Sequence, residues 1–449
     1  MHFHWAGSKK AREPGLPMGD IVDFISALKY DAIPEKAVQT ARLCILDAVG
    51  CMAVGMQNPA VSDFAKTISE KKRGSAIIAG TPLTSTRAWA SFVNSHACTF
   101  FDLDDGHRKA QGHPGGVIIP LALMLAAENG CTGEELIAAI VAGYETAVRS
   151  AQVMRQAGGP RKGSGGWSMA GGVAAAAKLC RLSEQQIKNA LGLAEYYAPQ
   201  APQDRSLAFP SSMKEGMAWA AHAAISIVDL AATGFDAMLP SLAAAGQCDD
   251  LGNNWEICSV YFKKYACCRF SHPVLDGLLP LVHEHEVKPD DIMAIKVTSF
   301  AKALLLDTIT PDNPVAAMYS IPFAIGCLLA RGKVGPGEMT ADALTERQIL
   351  QIARKVTIEE DLDITDQFPE KCLARVTVTF KSGEPFKSGT LSAKGDPDNP
   401  YSHKELRAKF FDLAAPLLGE TIDSVYHQIM TIHHESPQKL WDRLHTKID

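Results

Sequence analysis

From about residue 36 to residue 250 the apolar residues recur at helical spacing, and many of them are small. Lys36 to Met56 carries Ala, Leu, Ile and Val with a 3.6-residue period, which predicts one long helix. Gly172 to Leu182 and Gly216 to Ala232 are dominated by alanine. Small side chains let helices approach closely, so these segments predict a compact all-helical body. Thr132-Gly-Glu-Glu135 and Ser183-Glu-Gln-Gln186 read as helix starts, in which a hydroxyl caps a backbone N–H and an acid or amide reaches back. Ser212…Glu215, Thr345…Gln348 and Ser402…Glu405 carry the same signature.

After about residue 285 the period changes to two. Asp291 to Thr298 and Cys372 to Phe380 alternate like half-buried strands. Residues 381–384 then read as a hairpin turn and Pro385 to Leu391 as the return strand, with helical stretches at 314–331 and 345–355 between the strands. The helical pattern resumes at Ser402 and runs to the end. The expected fold is mainly α: a large all-helical domain built from both chain ends (19–267 and 399–449), with a smaller α+β domain (268–398) inserted. An N-terminal arm, 1–18, precedes it.

Composition narrows the function. The 449 residues carry 44 basic and 50 acidic side chains, a net −6, which lacks the cationic footprint of a nucleic-acid binder. A metabolite enzyme fits better. Asn313 to Ala330, a long uncharged run, holds Pro314, Tyr319, Ser320 and Pro322, so no membrane partner is expected. The first residues lack the apolar core of a secretory leader. Eleven cysteines show no paired CxxC spacing, and the adjacent Cys267 and Cys268 are awkward for a disulfide. Reduced thiols in the cytoplasm are the simpler reading, with no zinc or iron–sulfur ligand set.

Four polar clusters stand out. Residues 101–116, FDLDDGHRKAQGHPGG, gather Asp102, Asp104, Asp105, His107, Arg108, Lys109 and His113 ahead of an apolar helix, either as an acid/base site or as a solvated turn. A calcium loop needs Gly at position six and a carboxylate at twelve; counted from Asp102, Gly106 is fifth and His113 twelfth. A looser Asp/His metal site stays open. In SSMKEG (211–216) the Ser212–Glu215 pair would put Lys214 in a first helical turn, where a cation opposes the helix dipole at about 0.3–1 kcal/mol. That marks either a solvated lysine or an anion site, with His222 two turns on as a core histidine or a ligand. YFKKYACCRFSHP (261–273) brings Lys263, Lys264, Arg269 and His272 to the expected domain boundary, its cysteines being nucleophiles or buried thiols. AGGPRKGSGGWSMAGG (157–172) fits no phosphate loop and reads as a flexible loop offering Arg161, Lys162 and Ser164 to a ligand.

With LCILDAVGCMAVG, SMKEGMAWAAHAA, AAMYSIPFAIGCLLARGKV and KGDPDNPYSHKELRAKF, these clusters give the chain a resemblance to the MmgE/PrpD family, from about residue 20 to the C-terminus. That family includes 2-methylcitrate dehydratase, cis-aconitate decarboxylase and iminodisuccinate epimerase. The resemblance implies that the inserted unit is a lid, that the protein is a homodimer, and that small polycarboxylates react between the domains without a cofactor; the failed calcium spacing and the missing Cys/His ligand set add the expectation that no metal takes part. Carried over by position, it implies catalytic roles for Asp102, His113, Lys214 and His272. Tyr319 lies in the family's lid-helix motif, and His107, Lys162 and Arg269 stand beside it as candidate substrate-binding residues. The chain departs from the pattern where the family commonly has a histidine before the alanine-rich helix; here the nearest residues are Arg161, Lys162 and Ser164, and His107 is a candidate for the vacant space. Dehydration of a 2-methylcitrate-like hydroxy-tricarboxylate is the leading expectation. Epimerisation of a dicarboxylate such as iminodisuccinate, decarboxylation of cis-aconitate, and carboxylate binding without turnover are the alternatives.

Overall fold

The computed structural model describes residues 20–158, 160–243, 248–284, 288–383 and 385–445, so the expected N-terminal arm lies outside the described residues. Helices α1 (Glu35–Met56), α2 (Arg87–Thr99), α3 (Gly115–Glu128), α4 (Gly133–Gln156), α5 (Gly165–Leu179) and α6 (Met217–Ala232) pack on one another as the helical body. Small residues set their separation. A Cβ at Gly171 would lie 2.4 Å from the carbonyl oxygen of Gly143, so α4 and α5 meet backbone to backbone. Helix α1 is long and apolar enough to cross a membrane, yet most of it, from Ala37 to Met56, is buried inside the fold. It is a core helix.

The hydroxyl-capped starts form where the spacing predicts them at Thr132, Ser183 and Ser402, each with both reciprocal hydrogen bonds. Two others do not form. Thr345 ends the short helix Ala341–Thr345, and the next, Arg347–Ala353, starts after Glu346. At Ser212–Glu215 the backbone turns left-handed instead: Lys214 has φ 42°, Glu215 φ 56° and Gly216 φ 76°, and α6 begins only at Met217. Glu215 cannot cap a helix because its carboxylate is bonded elsewhere, to Ser164.

The α+β unit carries a five-stranded sheet. Its central strand β1 (Ile292–Ser299) runs parallel to β2 (Val356–Glu360) and antiparallel to β3 (Leu373–Phe380). Strand β2 escaped the sequence reading. The expected return strand is split into β4 (Pro385–Lys387) and β5 (Leu391–Ser392), both on β3. At the break the Ser388 hydroxyl accepts from the Val376 N–H at 2.9 Å, replacing a ladder carbonyl. Helix α7 (Ile321–Arg331) belongs to this unit, and α8 (His403–Leu418) returns to the helical body, laying Phe410 against Gly50 of α1. The chain is 61% helix and 9% strand, so it is mainly α with a small α+β region.

Candidate active site

Two segments expected to hold chemistry are tied together by a short antiparallel pairing, Gly106 with Tyr261 and His107 with Val260. Gly106 is required there, since a Cβ would sit 2.2 Å from the Tyr261 ring. The pairing brings Lys263 under the loop that presents Asp102, itself held left-handed at φ 55°.

Asp102 is 3% exposed and both its oxygens are engaged. Oδ1 accepts from Lys214 Nζ at 2.9 Å and Oδ2 from Lys263 Nζ at 2.8 Å. Burial alone would raise its pKa, but Lys214 and then Lys263 outweigh that and hold the carboxylate well below its usual range. Burial likewise works against the Lys263 ammonium, and Asp102 and Asp104 overcome it, raising its pKa. With each oxygen held by an ammonium, this carboxylate is committed to cations of the chain itself. The Tyr319 hydroxyl lies 3.4 Å from Asp102 Oδ1 and 3.5 Å from Lys214 Nζ. Burial first, then Asp102, keeps that phenol strongly protonated.

His113 completes the group. Its Nδ1 lies 2.8 Å from the Asp105 carbonyl, which fixes the proton on Nδ1 in the neutral ring and leaves Nε2 as the free base, 4.0 Å from Asp102 Oδ1. The His113 N–H donates to Ser164 Oγ at 3.1 Å, and both the hydroxyl and the N–H of Ser164 donate to Glu215 Oε2 at 2.6 Å. Gly112 permits this approach, because a Cβ there would be 2.2 Å from Ser164 Oγ. In the loop where the family commonly has a histidine, Ser164 therefore holds the left-handed Glu215 turn and the His113 backbone in place.

Asp102, His113 and Tyr319 line a cleft of about 530 Å³, open mouth included, with Gln111, Arg108 and Arg269. Arg108 and Arg269 flank the Tyr261 ring at 4.8 and 4.7 Å and share Asp396. Phe368 and Pro369 bring the α+β unit to the same cleft.

The structure thus brings together Asp102, His113, Lys214, Tyr319 and Arg269, with Lys214 behind the wall rather than lining it. His107 lines the cleft but is tied down: Nε2 lies 3.1 Å from the Glu256 carbonyl and Nδ1 takes the Ala110 N–H at 3.4 Å. It does not fill a vacant catalytic place. Two expected residues lie elsewhere. His272 is fully buried, with Nε2 3.2 Å from the Cys267 carbonyl and Nδ1 3.3 Å from Arg269 Nη1, and burial and Arg269 lower its pKa well below the usual value. It orients Arg269 and has no free nitrogen to offer a substrate. The Lys162 ammonium donates outward to the Gln200 carbonyl at 3.1 Å and does not line the cleft.

The sequence placed Arg108 and Lys263 in its polar clusters without giving either a role of its own, and Gln111 carried no signal. The structure separates Lys263 from its neighbours, because it stands two residues past the strand that pairs with the Asp102 loop. The thiols of Cys267 and Cys268 are buried and raised by that burial, the latter to about 12, so neither is an activated nucleophile. His222 stacks on Trp219 and meets Trp89 edge-on, away from the cleft. Among the described residues no three His, Cys, Asp or Glu side chains are grouped to hold a metal ion.

The MmgE/PrpD N-terminal domain model matches residues 19–248, and the MmgE/PrpD C-terminal domain model matches residues 265–431. The chain belongs to the MmgE/PrpD family. Its similar proteins include a cis-aconitate decarboxylase-like protein, oryM, of Aspergillus oryzae, 24% identical across 92% of this chain and 94% of that protein. A cis-aconitate decarboxylase of Aspergillus terreus is 23% identical across 90% of each chain. Within the family frame the Asp102 loop comes from the N-terminal match, while Arg269 and Tyr319 come from the C-terminal one, so the cleft is shared between the two.

Proposed function

We propose that this chain is an acid/base lyase acting on a small polycarboxylate, dehydrating a hydroxy-tricarboxylate of the 2-methylcitrate type without a cofactor. The observation that carries this reading is the Asp102 carboxylate clamped between Lys214 and Lys263 beside a free His113 Nε2 and a protonated Tyr319. Elimination of water needs a base at the carbon alpha to a carboxylate and an acid at the departing hydroxyl. His113 Nε2 takes the proton, the C–O bond breaks as the C=C bond forms, and Tyr319 gives its proton to the leaving oxygen. The Lys214 ammonium at 3.5 Å stabilises the phenolate, and once product leaves, solvent takes the proton held on His113 and returns one to Tyr319, which restores both groups. Arg108 and Arg269 share the single Asp396 carboxylate, so one net positive charge remains there for a substrate carboxylate.

A second reading is decarboxylation of cis-aconitate, favoured by the names of the similar Aspergillus proteins. It needs one proton donor at the carbanion left by CO₂, where elimination needs a separated base and acid. The pairing of His113 with Tyr319 supports elimination. The test is turnover of 2-methylcitrate, citrate and cis-aconitate at equal enzyme concentration, read by proton NMR in deuterated water. Formation of an unsaturated tricarboxylate, with deuterium entering recovered substrate, is expected. Efficient itaconate formation transfers the reading to the decarboxylase, and no exchange or turnover on any of the three acids overturns both.

A further inference from the structure

Most polar side chains on the cleft wall are committed to the protein itself: Arg108 to Asp396, Glu215 to Ser164, His107 to Glu256. Gln111 is different. Among the described cleft-lining residues it is the one whose side-chain donor and acceptor, Nε2 and Oε1, are both buried and both without a partner. Its position is not slack. The backbone is left-handed at φ 56°, the N–H donates to the His107 carbonyl at 2.7 Å, and the carbonyl accepts from Gln203 Nε2 at 2.9 Å. A left-handed glutamine with a buried, unpaired amide costs free energy twice, and such costs persist where a ligand supplies the missing partners.

The chemistry of the amide says which ligand. It offers one acceptor and one donor side by side. A carboxylate uses the N–H and leaves Oε1 facing another oxygen. A hydroxyl beside a carboxylate satisfies both, its O–H donating to Oε1 while the carboxylate accepts from Nε2. We infer that Gln111 is a specificity residue selecting an α-hydroxy carboxylate over a polycarboxylate that presents only acceptors. This rests on the polycarboxylate reading of the cleft and deepens it, since it separates the hydrated acid from its unsaturated product.

The test is calorimetric binding of citrate and of propane-1,2,3-tricarboxylate, which has the same three carboxylates and no hydroxyl. Wild type is expected to bind citrate at least about tenfold more tightly. In Gln111→Met both acids lose the Nε2 donor and citrate alone also loses the acceptor for its hydroxyl, so citrate binding weakens more and the preference falls to within about twofold. Gln111→Glu keeps an acceptor and loses the donor, so both affinities fall while the citrate preference survives; it serves as the second variant should the methionine form misfold. Equal binding of the two acids by wild type, or an unchanged preference in Gln111→Met, overturns the role of Gln111 alone. Failure of wild type to bind either acid overturns the polycarboxylate reading and this assignment with it.

Discussion

Lys214 and Lys263 hold the same carboxylate at nearly the same distance, yet their removal should have different consequences. Each donates one charge-assisted hydrogen bond to Asp102, at 2.9 and 2.8 Å, and each is buried. Such a bond contributes about 1.5–3 kcal/mol, so Lys214→Met and Lys263→Met should lower unfolding free energy by similar amounts. The surviving lysine keeps Asp102 from being left as a lone buried charge in either variant. Catalysis separates them. Lys214 Nζ lies 3.5 Å from the Tyr319 hydroxyl, whereas the polar contact found for Lys263 Nζ is Asp102. When Tyr319 gives up its proton, an ammonium near 4 Å stabilises the phenolate by about 4 kcal/mol at an effective dielectric of about 20. That corresponds to about a thousandfold in kcat. Lys214→Met should therefore lose about three decades of kcat on the preferred polycarboxylate, and Lys263→Met about one or fewer, with matched shifts in the urea midpoint. Equal kcat losses, or a Lys214→Met enzyme within tenfold of wild type, would refute the role given to Tyr319 and its cation.

Burial raises the Asp105 carboxyl to about 7, with Asp47 and Asp104 adding to the rise against hydrogen bonds from Tyr144 and Gly115. The unfolded chain releases this proton near ~3.9, so between about pH 4 and 7 the folded state binds more protons and stability falls as pH rises. Asp105→Asn should flatten part of that fall in urea midpoints measured at pH 5 and 8, and an undiminished fall would place the proton elsewhere. A second prediction concerns assembly. Tyr196, Tyr197, Phe209, Met213 and Trp219 are each at least half exposed within one stretch, a surface a second copy would cover as a homodimer. Sedimentation of the pure chain should give twice 48.3 kDa, with Tyr197→Glu plus Trp219→Glu moving it toward the monomer; a wild-type monomer at micromolar concentration contradicts this.

What the sequence revealed and concealed follows from the range of the forces involved. The hydroxyl caps at Thr132, Ser183 and Ser402 are local, fixed by residues three apart, and they were legible. SSMKEG carries the same local signal and fails, because Glu215 is claimed by Ser164, 51 residues earlier in the chain. No propensity encodes that contest. The left-handed run that results costs about 1–2 kcal/mol for each of Lys214 and Glu215, and it aims Lys214 at Asp102 rather than along a helix. Lys263 and Lys264 are neighbours of one charge, yet one is fully buried and the other exposed. The choice between them is made by the pairing of Gly106 with Tyr261, a register no single segment specifies. His272 shows the converse. Its position beside Arg269 was legible, but only its packing reveals that both ring nitrogens are spent on the protein.

The same contacts explain why both ends of the chain are needed for one carboxylate. Burying Asp102 is tolerable only because two ammonium groups arrive from separate segments, and removing a buried charge from water without partners costs several kcal/mol. The loop that carries it is held from behind as well. Lys409 of α8 donates to the Leu103 carbonyl at 2.7 Å and to Asp47 of α1 at 2.5 Å, so α8 grips the backbone one residue from Asp102. Asp47 in turn is raised by burial and lowered by Lys409, which makes that pair as dependent on α8 as Asp102 is on its lysines. Tyr319 then reaches the site from the α+β unit. A cleft lined from the Asp102 loop, the 260s segment and the α+β unit, and braced from behind by α8, has its geometry only when all of them are folded together. Each buried charge makes an incomplete assembly costly, and that cost keeps His113 Nε2 and the Tyr319 hydroxyl at 4.0 and 3.4 Å from the same Asp102 oxygen.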